Sequence, residues 1–339
     1  MDLQVLWFVL LGVLLTGYVV LDGFDLGVGI LHLCARREDH RRMMMSSIAP
    51  VWDGNEVWLV AFGGALFAAF PEAYATAFSA FYLPFMLLLF SLICRAVSLE
   101  FRGKRQEAGW RTCWDTGFWA GSWLAAFLLG VAAGNMVRGI PVGPNGEFQG
   151  SLPGLLHPYC LLVGLLTPAL FALHGALYLN LKTAGDLQQQ VRRWAWRALA
   201  IFAALYLAAT LTTLAHVPRA LSQLRQNQWA FSAPALSVLA LAGVAYMLRL
   251  GRPGWAFACS CLLIASLSLL FGLTLFPDLV VSSLNPDQWS LTIRNASSSQ
   301  RTLFIMCLIA LIGMPLGAAY NAVVYWVFRG KVKPEEVVY

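Results

Sequence analysis

Apolar runs of about 20 residues recur along this chain, each long enough to cross about 30 Å of hydrocarbon as a helix. Inside a bilayer every backbone N–H and C=O must find a partner within the protein, so only helices or closed barrels can span it. Continuous runs of this length select helices over the short alternating segments of a barrel. Nine spans are expected, at about 5–34, 50–70, 74–99, 115–137, 155–181, 195–216, 231–250, 254–276 and 303–328. Charged residues make up 12% of the chain, about half the share of a soluble protein, and hydrophobic residues 59%. The chain therefore reads as an all-α integral membrane protein. Its net charge of +6 sits in short loops between spans and does not describe a nucleic-acid surface.

The loops set an orientation. Counting Arg95 with the helix end nearest it, 18 of the basic residues fall on one side of the nine spans and 5 on the other. The rich side belongs in the cytoplasm, which puts the N-terminus outside and the C-terminus inside. Asp2 precedes the first run without a basic segment, and the run exceeds signal length, so no cleavable signal peptide is expected. Four G-x-x-x-G pairs, Gly23/Gly27, Gly117/Gly121, Gly130/Gly134 and Gly313/Gly317, mark places where helix backbones can approach closely.

Polar residues inside spans are expensive and call for a reason. The stretch 46–82 holds several, in what reads as two spans joined by a tight turn at Pro71. Asp53, Asn55 and Glu56 stand at the cytoplasmic mouth of the first of these, flanked by Trp52 and Trp58. Asp22 and Asp25 lie in the inner third of the first span, Arg95 and Glu100 at the inner end of the third, and Asp115 at the start of the fourth. The spacing of Asp22/Asp25 and of Asp53/Glu56 places each pair on one helical face. Spans five to eight carry no acidic residue; their polar notes are His157, His174 and His216. This asymmetry predicts a first four-helix bundle within 1–137 that holds the acidic cluster and a second within 138–276. Residues 277–339 then supply an outer loop, a peripheral ninth helix and a cytoplasmic tail.

Three readings of the cluster stand side by side. Carboxylates near helix starts, such as Asp53 and Asp115, can be caps or ion-pair partners. A row of intramembrane carboxylates can relay protons. A cation site of a proton-coupled secondary transporter is the third, though such sites lie at mid-bilayer between matching repeats, and here the halves do not match. The seven cysteines form no C-x-x-C pair and read as packing residues. His174 is the best-placed histidine for an axial haem ligand, but a lone helical histidine is more often a packing residue.

The runs DGFDLGVG, SIAPVWDGNEVWL, GGALFAAFPEAYATAFSAFY and WDTGFW, with SSSQRTLFIM before the last span, resemble subunit II of the cytochrome bd-type quinol oxidases over essentially the whole chain. The resemblance implies a partner, subunit I, that carries haem b558, haem b595 and haem d and oxidises quinol. It implies a complex in the bacterial cytoplasmic (inner) membrane that reduces dioxygen to water with protons drawn from the cytoplasm. This chain would then be a non-catalytic subunit with no cofactor or metal of its own, stabilising the complex and helping to form the proton-uptake path. Small single-helix accessory subunits and membrane lipids are further expected partners. Carried over residue by residue, Asp53 of the W-D-G-N run is the candidate for proton uptake. Asp22, Asp25, Glu56, Arg95 and Asp115 form the candidate charge network, and Trp52, Asn55 and Trp58 line it or the subunit interface.

Overall fold

A computed structural model describes residues 2–226 and 228–332. Lys333, counted above with the cytoplasmic charges, and the rest of the tail lie outside the described residues, as does Asn227 of the loop before the seventh span. In chain order the helices are α1 (Leu3–Leu31), α2 (Glu38–Ile48), α3 (Trp52–Ala69), α4 (Pro71–Ala80), α5 (Tyr82–Phe101), α6 (Ala108–Arg138) and α7 (Leu152–Leu155). They continue with α8 (Pro158–Lys182), α9 (Gly185–His216), α10 (Pro218–Gln226), α11 (Ser232–Arg249), α12 (Pro253–Leu275), α13 (Pro286–Trp289) and α14 (Gln300–Val327). Eight of these are long and apolar enough to cross a membrane. The remaining expected span is α3, whose 18 residues reach about 27 Å at 1.5 Å per residue but open on a polar first turn.

The expected tight turn at Pro71 forms, with Phe70 as its one non-helical residue, but the helix that follows is not continuous. Pro71 starts the ten-residue helix α4, and a break at Phe81 separates it from α5. Pro84 explains the break: it has no N–H for the Ala80 carbonyl, and its ring crowds the turn before it. The fourth span also starts earlier than expected, at Ala108, so Asp115 lies two turns inside α6 and is not a cap. Residues taken for connecting loops form α2 and α10.

Helix α1 is the hub. It packs against α3, α6, α8 and α12, and α8 in turn packs against α6, α9 and α12. The α1–α8 crossing is a backbone-to-backbone contact. A Cβ on Gly175 would lie 2.5 Å from the Gly27 carbonyl carbon, and one on Gly27 would strike the Phe171 carbonyl oxygen. Gly130 and Gly134 meet α8 in the same way at Gly164 and Cys160, each 2.9 Å from the position a Cβ would take. Gly121 meets the Ser91 carbonyl of α5. A Cβ on Gly313 or Gly317 would meet nothing within 4 Å among the described residues. They belong to α14, which packs mainly on α1 and α3 and leaves Ile309, Leu311, Ile312 and Leu316 more than 60% exposed.

Two short antiparallel strands, β1 (Asp278–Val280) and β2 (Leu291–Thr292), cover the end of the helices opposite the arginine-rich loops. Their loop closes α3: Ser298 donates its N–H to the Ala69 carbonyl and its hydroxyl to the Ala68 carbonyl, at 2.8 and 2.7 Å. Carbonyls left open at the helix end are thereby satisfied.

Candidate functional site: a buried ionic network on the first helix

One face of α1 and of the turn that follows it carries a buried stripe of mostly polar residues. Tyr18, Asp22, Asp25, Gly29 and His32 follow the i, i+4, i+7, i+11, i+14 spacing of a single helical stripe, and all are buried. Gly29 keeps the stripe close to α6, since a Cβ there would strike the Ser122 hydroxyl. Two separate networks assemble on this stripe.

The upper network joins α1, α3 and α5. The guanidinium of Arg95, fully buried, contacts Asp22 through Nη1 and Glu56 through Nη2, both at 2.8 Å. Glu56 keeps 25% of its side chain exposed, so it links the buried pair to the surface. Asn55 is buried and donates Nδ2 to Asp25 at 2.6 Å and to the Leu21 carbonyl at 3.2 Å. Its own carbonyl accepts from the Tyr325 hydroxyl at 2.8 Å, which ties α14 to the network. Asp22 Oδ2, Asp25 Oδ1, Arg95 Nε and the Tyr18 hydroxyl have no hydrogen-bond partner among the described residues. Buried polar atoms are rarely left so. Tyr325→Phe removes one hydrogen bond, worth about 1 kcal/mol. A scan of the purified protein should show its unfolding midpoint lowered by about 1–3 °C; an unchanged midpoint would mean that the bond carries no stability.

Asp115 belongs elsewhere. The lower network sits about 10 Å further along, seven residues beyond Arg95 on α5. Asp115 Oδ1 accepts from Arg102 Nε and faces His32 Nε2, both at 2.5 Å, and Oδ2 accepts from Arg41 at 2.9 Å. Glu38 adds contacts to Arg102 at 2.8 Å and to Arg111 at 3.2 Å. Asp115 is therefore an enclosed counter-ion for a cationic cluster. Sequence reasoning missed His32, Arg41, Arg102 and Glu38 as members. Two signals were available: Arg102 stands at i+7 from Arg95, and His32 at i+7 from Asp25.

Asp53 is exposed, in the first turn of α3, one turn before Glu56 and on the same face. Glu100 is exposed and outside both networks. Trp52 packs on the main core, and Trp58 packs against Gly17 of α1, where a Cβ would meet its ring. His174 does not suit haem ligation. Nδ1 pairs with the Ser260 hydroxyl at 2.7 Å and Nε2 with the Val20 carbonyl at 3.0 Å, while the ring stacks on Phe257. With both nitrogens engaged, neither is presented to a metal. Among the described residues no group of three or more His, Cys, Asp or Glu side chains is arranged to hold a metal ion.

Residues 3–328 match the family described as cytochrome bd terminal oxidase subunit II. The chain is 34% identical to the cytochrome bd-I ubiquinol oxidase subunit 2 of Escherichia coli (strain K12), covering 99% of this chain and 96% of that protein. It is also 34% identical to the cytochrome bd ubiquinol oxidase subunit 2 of Bacillus subtilis (strain 168), over 99% and 98% of the two chains. The structure of bd oxidase from Geobacillus thermodenitrificans has a chain of the same fold, with a TM-score of 0.80 at 18% identity, covering 97% of this chain and 99% of that one.

Proposed function

The chain belongs to the cytochrome bd terminal oxidase subunit II family, and from that membership we propose that it works as the haem-free subunit of a quinol oxidase. Its partner, subunit I, carries haem b558, haem b595 and haem d and supplies the redox chemistry, the oxidation of quinol and the four-electron reduction of dioxygen to water. The chain spans the bacterial inner membrane nine times, with α3 as the polar-mouthed second span and the arginine-rich loops in the cytoplasm. Its helices form two four-helix units, α1/α3/α5/α6 and α8/α9/α11/α12, with α14 at the margin.

What this chain contributes is a route for protons and a rigid wall for the partner. The observation that carries the first role is the gradation of exposure along three carboxyl groups. Asp53 is exposed, Glu56 is a quarter exposed, and Asp22 beyond Arg95 is fully enclosed. A proton taken from water at Asp53 moves one helical turn to Glu56 and then meets the buried set of Asp22, Asp25 and Tyr18. The unpaired oxygens there are places where a proton or a bridging water is held. Asp22 and Glu56 share the one guanidinium of Arg95, and Asp25 lies on the same face of α1 with Asn55 as its partner, so the carboxyl groups stand in one continuous buried set. Asp115, held by Arg41, Arg102 and His32, ties α2 and the ends of α1 and α5 to α6 and is structural.

Asp53→Asn is expected to slow quinol-driven oxygen consumption by on the order of tenfold, an added barrier of about 1.4 kcal/mol, with reduced-minus-oxidised haem bands unchanged. Normal oxygen uptake would remove Asp53 from the route, and loss of the haem bands would make its role structural.

A further inference from the structure

The arginine-rich end carries a second feature that neither network uses. A cleft of about 350 Å³ opens between the end of α1 and the first half of α9, lined by Cys34, Arg36, Gln190, Arg193, Trp194 and Arg197. A fourth arginine at its rim, Arg37, is already neutralised. It holds Asp39 at 2.5 Å and lies 3.8 Å from Asp186. Among the described residues no carboxylate pairs with Arg36, Arg193 or Arg197. Three guanidiniums thus share one concavity with no carboxylate partner among the described residues.

This arrangement works against the helix that bears it. Arg193 and Arg197 stand at i and i+4, where like charges destabilise a helix. An anion lying between them reverses the sign of that term. Guanidinium forks match the oxygens of a phosphate in pairs of parallel hydrogen bonds. The walls next to the arginines select the source of the phosphate. On the same face of α9 the exposed large apolar residues beyond Arg197 are Leu207 (61%) and Leu211 (58%), flanked by Ile201 (57%), and the α1 lip presents Leu33 (37%). Trp194 is half-buried at the junction, where indoles favour the membrane–water boundary. A charged cleft continuous with an apolar helix face fits an amphiphile. A soluble anion would leave that face without an occupant.

We infer that the cleft formed by Arg36, Arg193, Arg197 and Trp194 is a binding site for the phosphate headgroup of an anionic phospholipid, whose acyl chains run along the outward face of α9. Basic pockets between transmembrane helices at the cytoplasmic surface are suited to such headgroups. Each arginine is expected to contribute about fivefold in affinity, so removal of all three should weaken binding on the order of 100-fold.

The test uses the intact oxidase complex purified from its membrane and exchanged into phosphatidylcholine nanodiscs doped with phosphatidylglycerol or cardiolipin. Native mass spectrometry counts the phospholipids retained on release. The complex should keep at least one anionic phospholipid more than the same complex bearing Arg36→Gln, Arg193→Gln and Arg197→Gln, with inorganic phosphate or ATP at millimolar concentration failing to displace it. Equal retention by the two proteins overturns the inference, and displacement by phosphate or ATP overturns the lipid in favour of a soluble anion. Should the triple variant not assemble, Cys34 reports on the unaltered protein. Maleimide labelling of Cys34, mapped by peptide mass against the exposed Cys113, should slow several-fold in phosphatidylglycerol relative to phosphatidylcholine. Labelling of both cysteines in constant ratio in the two lipids overturns the assignment.

Discussion

Replacing Arg95 with methionine should prevent the chain from accumulating in the membrane. Arg95 is fully buried, and its guanidinium is the cationic group contacting both Asp22 and Glu56. Truncating one partner of a buried ion pair costs about 3–5 kcal/mol, because the charge left behind has no water to return to. Here two carboxyl groups lose the same partner, against a total stability of about 5–15 kcal/mol for a typical folded domain. An immunoblot of the membrane fraction should show the Arg95→Met chain much depleted, together with the haem bands of the complex. The reverse test is sharper. Adding Asp22→Asn and Glu56→Gln to Arg95→Met removes the stranded charges and should restore part of the lost protein. Wild-type levels in the single variant would show that the network contributes nothing to folding.

Gly27→Ala should be the most damaging single-methyl change in the chain. The added Cβ would lie 2.7 Å from the Phe171 carbonyl carbon and 2.9 Å from the Gly175 Cα, and would strike the Phe171 carbonyl oxygen. All three atoms are backbone, so no rotamer change relieves the overlap and α8 must move off α1. Overpacking costs about 1–3 kcal/mol where side chains can yield, and a backbone obstacle belongs at the upper end of that range or above it. Gly27→Val should fail to fold. Gly313→Ala provides the control, because nothing lies within 4 Å of that position, and its unfolding midpoint should match the wild type. Equal midpoints for Gly27→Ala and Gly313→Ala would refute the α1–α8 crossing.

These two cases show what sequence can and cannot disclose here. The existence of the long helices was legible, because length and apolarity suffice to demand a span. The pattern Gly23/Gly27 and the pattern Gly313/Gly317 are identical as text, yet one seats a neighbouring backbone and the other seats nothing among the described residues. Small residues permit approach without naming what approaches. In the same way the positions of Asp22, Asn55, Glu56 and Arg95 could be read as one polar cluster, since helical spacing sets their faces. The partner of Asp115 could not. Arg41 and Arg102 look like ordinary loop cations, and only the fold turns them inward onto a carboxylate. The break at Phe81 was hidden for a different reason: a proline in a first turn is common and benign, and it ends a helix only when another one runs into it from behind.

The hydrogen bond from Tyr325 to Asn55 joins residues 270 positions apart, and in a growing chain that separation is also an interval of time. At about 5–20 residues per second, Asn55 leaves the ribosome roughly 15–55 s before the hydroxyl that completes it. Asp22 waits only 73 residues for Arg95, or roughly 4–15 s at the same rate. Synthesis therefore closes the ionic part of the network early and the Asn55 carbonyl last. A nascent chain stalled before its last helix already holds Arg95 with Asp22 and Glu56, and within this network lacks the bond from Tyr325 to Asn55. The order of residues protects the half-made protein at the point where an error would cost it most.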